Sequence, residues 1–315
     1  MMASFDTINY SLRPSKTIQR HLVFNGVHHL QGHLDFDHLV YIGLGSIWFT
    51  DFAMAHKVLG IDDMISIEAQ EIGYRRATFN APYATVRVIE GLSGVVLPKL
   101  FVDPAISRRP WMVWLDYDGE FDESVSDDVR SLVENAPENS ILLITFNGHE
   151  MSYGRAPERV ERLRDLFGDV VPDDLPKNAC KDERMQQTLA DLALDFTQSV
   201  AADLSRPGGF VPAFRIVYKD SAPMVTVGGL LPSKGAAKVA RDLVADQRWR
   251  CKPTKPIIAP HLTIREAASL QAMLPRAGKL TRVIVQGLGF DLEDDQIEAF
   301  QNYYRQYPAF AQILA

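Results

Sequence analysis

The chain has 315 residues, of which 46% are hydrophobic, with a net charge of −7 and two cysteines. That is enough for one large α/β domain plus an appendage, and the acidic balance argues against a general nucleic-acid binder. No metal spacing, disulfide framework, signal peptide or apolar run of membrane length appears, so a reducing cytoplasmic setting is expected.

Residues 11–30 predict an N-terminal helix. Pro14 suits its first turn, and Ile18, Leu22, Val23, Val27 and Leu30 supply an apolar face. Arg13, Lys16 and Arg20 lie on or near the other side, where a solvated face is favoured over a contact with substrate or cofactor carboxylate. The stretch from His38 to Glu68 organises the rest. An apolar run ends at Gly43-Leu44-Gly45-Ser46. A helical pattern follows, with Phe49, Phe52, His56 and Leu59 at spacings of three and four before Gly60. A second apolar run, Met64 to Ile67, closes on Glu68. This is a βαβ unit with a nucleotide-type site at its mouth. Gly43, Gly45 and Ser46 let the backbone approach a ligand, and the helix start offers N–H groups to an anion. Glu68 can accept hydrogen bonds from two ribose hydroxyls. On spacing alone the ligand is either NAD or S-adenosylmethionine. The absent third glycine, with Ile47 and Trp48 in the way of a pyrophosphate, favours the second.

The segment to Tyr74 reads as helical, and Thr85 to Ile89 reads as the third strand. Gly91 and Leu92, with Ser93 and Gly94, then form a candidate adenine-edge loop, unless Ser93 only caps a helix. Trp111 to Leu115 is a buried fourth strand ending on Asp116-Tyr117-Asp118-Gly119, beside the first strand at the switch point where ligands bind. Asp116 is a candidate cofactor contact or general base. Asp118 is a candidate base or substrate-orienting group, and Tyr117 a stacking ring. No specific metal cluster stands out, although the two carboxylates could recruit magnesium. Asp127 to Asn135 reads as a helix. Ser140 to Phe146 is a fifth strand ending on Asn147, which would orient a substrate; His149 is a weaker candidate.

Residues of about 150–205 form a charged, helical insertion, with helices over Glu158 to Phe167 and Asp182 to Leu204. Arg155, Arg159, Arg162 and Arg164 read as a solvated face. Two β-rich runs flank Lys219 to Pro223 and predict an antiparallel hairpin. After residue 232 the character changes. Gly235 to Gln247 reads as a helix. Thr263 and Glu266 form a capping box for a helix through Leu274. Thr281 to Gln286 is a β-rich run or apolar turn, and Glu293 to Tyr307 a final helix with an aromatic stripe. The expected division is a Rossmann-like domain over 1–232 and a small, mainly helical module over 233–315.

The stretches SLRPSKTIQR, YIGLGSIWFTDF, MISIE, FNAPY, WLDYDG, ITFNG and YYRQYPAF run along nearly the whole chain. In them the sequence resembles a bacterial family of O-methyltransferases with the class I S-adenosylmethionine-dependent fold. The resemblance implies a doubly wound, mostly parallel seven-stranded sheet ending in an antiparallel hairpin. It also implies S-adenosylmethionine as cofactor, with contacts at Gly43, Gly45, Ser46 and Glu68 and with Asp116 nearby. It names no methyl acceptor. The acid that usually sits two residues before the first glycine is Tyr41 here, so Asp51 or Asp116 would have to hold the cofactor's amino group. A non-catalytic scaffold on the same fold is the main alternative, and an NAD-dependent oxidoreductase a lesser one.

Overall fold

The structure, a computed structural model, describes residues 13–308 except 35, 37 and 46. One seven-stranded sheet forms its centre. Its strands are β1 (Val40–Leu44), β2 (Met64–Glu68), β3 (Val86–Glu90), β4 (Trp111–Glu120), β5 (Ser140–Asn147), β6 (Val211–Lys219) and β7 (Pro223–Leu231), in the order β3-β2-β1-β4-β5-β7-β6. The first five run parallel, and β7 inserts antiparallel between β5 and β6. The predicted hairpin is therefore present. β1, β2 and β5 are apolar almost throughout because helices cover both faces.

Strand alternation divides the interior in two. Val40, Ile42, Trp111, Val113, Leu115, Leu142 and Ile144 point to one core. There they meet α4 (Ser93–Phe101), α5 (Glu123–Asn135), α6 (Arg159–Phe167) and α7 (Asp182–Asp203). Tyr41, Met112, Trp114, Ile141 and Leu143 point to the other. That core holds α1 (Pro14–Gln31), α2 (Thr50–Leu59), Ala77 of α3 (Glu71–Asn80) and the residues that follow β7. Those residues form α8 (Ala237–Ala245), α9 (Ile264–Gln271), α10 (Arg282–Gly287) and α11 (Asp294–Tyr303), and Leu270, Val285, Ile297 and Phe300 bury against the same face as α1.

Local chemistry sets the helix ends. Gly60 takes a left-handed φ of 68° and returns its N–H to Ala55 and His56, ending α2. Thr263 and Glu266 form the expected capping box of α9, which stops at Gln271, short of Leu274. Asp220, in the turn between β6 and β7, accepts from the backbone N–H groups of Ser15 and Lys16 at 2.9 and 3.0 Å. The first turn of α1 thus takes its cap from a residue some two hundred positions away.

Several elements depart from expectation. β4 continues to Glu120, with a register shift between Asp116 and Glu120, so Asp116–Asp118 lie inside the strand, beyond the predicted end at Leu115. α3 carries Arg75 and Arg76 and runs on to Asn80. α5 begins at Glu123, ahead of Asp127, because the Asp122 carboxylate accepts from Val125 N–H at 3.1 Å. Ser93 is the first residue of α4, and the cap position is Leu92. The run at Thr281–Gln286 is helical: Val285 buries while Val283 is exposed, a helical spacing that a short apolar run conceals.

Candidate functional site

At the C-terminal ends of β1, β2 and β4 lies a crevice of about 270 Å³. Gly45, Glu68, Gly91, Leu92, Asp116, Tyr117 and Asp118 line it together, although they come from four separate stretches of chain. This is where a doubly wound sheet places its ligand.

Glu68 ends β2 and is only 5% exposed. Two glycines make room for it. A Cβ on Gly45 would overlap Glu68 Oε2 and come within 2.9 Å of the Ile67 carbonyl. A Cβ on Gly73 of α3 would sit 2.8 Å from Glu68 Oε1. Gln70 N–H donates to Oε1 at 3.3 Å. Burial raises the pKa of this carboxyl, opposed by the Gln70 and Ala69 N–H groups and assisted by the charge of Asp118. Gly91 continues the wall. Its N–H donates to the Glu68 carbonyl at 2.9 Å, and its φ of 146° is one that side chains rarely adopt.

The pleat of β4 sends neighbouring residues to opposite faces. Asp116 turns towards α1, where Lys16 Nζ lies 2.7 Å from its carboxylate. Tyr117 turns the other way and donates its hydroxyl to Asp128 of α5 at 2.7 Å. Burial, with the Asp128 charge, raises the Tyr117 pKa well above its ordinary value, and burial also raises that of Asp128. Asp118 is exposed at the rim.

The α1 side of the site corrects the reading of its basic trio. Lys16 and Arg20 are each 6% exposed, so neither belongs to a solvated face. They sit one turn apart and meet a polar group at the base of β1. Within that group the Tyr41 hydroxyl donates to Asp51 at 2.5 Å. Burial raises the pKa of Asp51, while the Arg20 charge and the Tyr41 hydrogen bond pull it down. Burial and the charges of Asp51 and Asp116 raise that of Tyr41, and Arg20 opposes them. Below this, Gln19 donates to Thr226 at 3.0 Å, Thr226 pairs with Thr145 at 2.7 Å, and Trp114 Nε1 donates to Thr145 at 3.0 Å. That buried chain fixes α1 to β4, β5 and β7; each such bond stabilises by about 1 kcal/mol net.

Other expected residues lie elsewhere. Gly43 is covered by side chains: a Cβ there would meet the rings of Tyr41 and Phe52 at 3.2 and 3.3 Å, and it does not line the crevice. Asn147 spends its carboxamide oxygen on the His149 N–H at 2.8 Å and stands outside the crevice. Ser46 falls outside the described residues. Arg159, expected on a solvated face, is 3% exposed, with Glu150 at 2.7 Å and the Cys180 carbonyl at 2.9 Å. Sequence reasoning gave no role to Gly73 or Asp128. The signal in the sequence for Lys16 and Arg20 is their i, i+4 spacing beside Ser15 and Gln19, on a helix that buries twelve of its eighteen residues.

A parallel sheet closed by an inserted antiparallel strand, with an acid at the end of β2 and a glycine turn after β1, defines a class I methyltransferase fold. Residues 8–315 match the family described as "Putative O-methyltransferase", and the chain belongs to that family. Among solved structures it is similar to Trm1 from Pyrococcus horikoshii with S-adenosyl-L-methionine, at 10% identity and TM-score 0.45 over 71% of this chain and 57% of that one. It is similar also to the O-methyltransferase TomG from Streptomyces achromogenes in complex with SAM, at 13% identity and TM-score 0.39 over 72% of this chain and 92% of that one. PigF with SAH matches at 14% identity and TM-score 0.33 over 69% of this chain and, as with Trm1, only 57% of the other. No curated protein matches the chain. Among the described residues, no helix is long and apolar enough to cross a membrane, and no cluster of His, Cys, Asp and Glu could hold a metal ion.

Proposed function

We propose that the crevice binds S-adenosylmethionine and transfers its methyl group to an acceptor oxygen. The observation that carries this reading is Glu68: a carboxylate at the end of β2, held between two glycines at the floor of the crevice and opposed by Asp116. Its two oxygens suit a pair of ribose hydroxyls, and the missing Cβ of Gly45 leaves space for the ligand beside them. Leu92, 65% exposed at the crevice wall, offers an apolar surface to an adenine ring. Asp51, oriented by Tyr41, takes the role of the acid displaced from β1 and faces the cofactor's amino group, while Arg20 and Lys16 suit its carboxylate.

The bound cofactor supplies an electrophilic methyl on a sulfonium. The protein aligns the acceptor for in-line attack and removes its proton. Asp116 is placed for that proton, with Lys16 fixing the carboxylate in one orientation. Asp118, close enough to Glu68 to act on its titration, belongs to the ribose side. Tyr117, held by Asp128, shapes the wall. The two cysteines are free and buried, which supports a reducing, cytoplasmic setting.

Calorimetric titration with S-adenosylmethionine, S-adenosylhomocysteine and NAD tests this. Binding of the two S-adenosyl compounds, weakened about tenfold by Glu68→Gln, is the expected result. Silence from both, or binding of NAD alone, overturns it. Tyr41 filling the space beside Gly43 is the one observation favouring a non-catalytic scaffold, which predicts no cofactor binding, or binding with no methyl transfer to any acceptor in a screen.

A further inference from the structure

A second and larger cavity, about 730 Å³, opens between α1, the stretch 248–253 and the end of α11, and it shares no residue with the crevice. Its chemistry follows from an alternation. In Arg248-Trp249-Arg250-Cys251-Lys252 the odd members point inward. Trp249 Nε1 donates to the Ala213 carbonyl at 2.6 Å, and Cys251 Sγ donates to the Leu22 carbonyl at 3.1 Å. Gly26 of α1 leaves the room that Cys251 needs: a Cβ there would come within 2.5 Å of its sulfur. With those two anchored, Arg248, Arg250 and Lys252 remain exposed and line the cavity between them. Arg305 joins them from the opposite wall, beside Tyr303 and Tyr304.

The balance of charge is one-sided. Among the described residues, none that lines it is acidic. Arg248 is engaged by Asp246 at 2.9 Å, whereas Arg250, Lys252 and Arg305 form no ion pair among the described residues. This occurs on a chain of net charge −7. Arg250 and Lys252, with Arg305 lying over the Tyr304 ring at 5.3 Å, focus a positive potential in this concave space and attract an anion. Arginine adds a fork of donors that matches phosphate oxygens. The half-buried rings of Tyr303 and Tyr304 offer planar surfaces between the cations.

We propose that this cleft is a second ligand site, taking a nucleotide whose phosphates sit on Arg250, Lys252 and Arg305 and whose base lies against the tyrosines. It goes beyond the methyl-transfer reading and does not depend on it. Gly26 lies ten residues along α1 from Lys16, about 15 Å at 1.5 Å per residue, so the two sites share one helix without overlapping.

Titration of the full chain with ATP, pyrophosphate and adenosine tests it, alongside the double variant Arg250→Ala/Lys252→Ala, whose two side chains are exposed and leave the anchors in place. The expected result is that ATP binds more tightly than pyrophosphate and adenosine hardly at all, that the double variant loses at least tenfold in ATP affinity, and that binding weakens steeply with added salt. S-adenosylhomocysteine should not displace the ATP. The proposal is overturned if ATP fails to bind, binds the double variant equally well, is displaced by S-adenosylhomocysteine, or is matched by pyrophosphate. Binding of short single-stranded RNA in place of ATP would equally overturn it, and would make the cleft a polymer surface.

Discussion

The crevice and the basic cleft are both lined by polar groups from distant parts of the chain, yet they handle charge in opposite ways. In the crevice region the charges are answered from within: Lys16 by Asp116, Asp51 by Tyr41, Asp128 by Tyr117. In the cleft the described lining residues include four cations and no carboxylate, and of the four only Arg248 is ion-paired among the described residues. The first arrangement fixes geometry before a ligand arrives, as in-line chemistry requires. The second creates a field and leaves the geometry to the ligand. A preorganised site is therefore fragile towards substitution, and a field-type site is tolerant.

The largest expected effect lies in the crevice. Asp116→Ala removes the carboxylate that pairs with the buried Lys16 ammonium, whose side chain is 8% exposed, and should cost roughly 3 kcal/mol of unfolding free energy as well as cofactor binding. Denaturant unfolding of Asp116→Ala, Lys16→Met and the double variant checks this, because the double variant should be more stable than Asp116→Ala alone. If all three are equally stable, the pair does not hold α1 in place. Next, Gly73→Ala pushes a methyl against the Glu68 carboxylate and should cost about 1–3 kcal/mol, together with the thermal stabilisation given by S-adenosylhomocysteine.

Glu68→Gln sharpens the contrast through pH. Burial raises the folded pKa of Glu68, so its contribution to stability is fully present below the ordinary carboxylate range and is lost as pH rises through the raised value. The ligand-free Gln variant should therefore melt above the parent at neutral pH, and the gap should close on acidification. A gap that widens towards acid would contradict the assignment of burial as the main cause. The smallest effect belongs to the cleft. Arg250→Ala/Lys252→Ala should leave unfolding free energy within about 0.5 kcal/mol of the parent, since both side chains are exposed and neither forms an ion pair among the described residues. A larger loss would make these residues structural.

Much of this arrangement is legible in the sequence because it rests on local signals. Apolar runs ending in Gly43-Leu44-Gly45 and at Glu68 mark the C-terminal ends of strands, the run before Asp116 marks the apolar part of β4, and in a doubly wound sheet these positions converge. The turn residues between β6 and β7 announce the hairpin. The partners are less legible, because they are chosen across the fold. Nothing near Lys16 points to Asp116, one hundred positions later, and Tyr117 finds Asp128 only because β4 and α5 share a core. Gly43 shows the limit of motif reading: it occupies the expected place in the glycine turn, but the neighbouring Tyr41 folds over it. Asn147 ends its strand as expected, and its own turn consumes its side chain. Short apolar runs such as Thr281–Gln286 carry too few residues to separate a strand period from a helical one.

The cap on α1 has a consequence for how the protein is made. Ser15 and Lys16 take their backbone partner from Asp220, 205 positions downstream of Ser15. A chain leaving the ribosome can pair β1 to β5 and shape the Glu68 side of the crevice well before that residue emerges. It lacks the acceptors for the first turn of α1, the turn that carries Lys16, until the final hairpin is in place. Nascent chains should thus acquire the sheet early and the completed site only near the end of synthesis, with the hairpin turn acting as the latch.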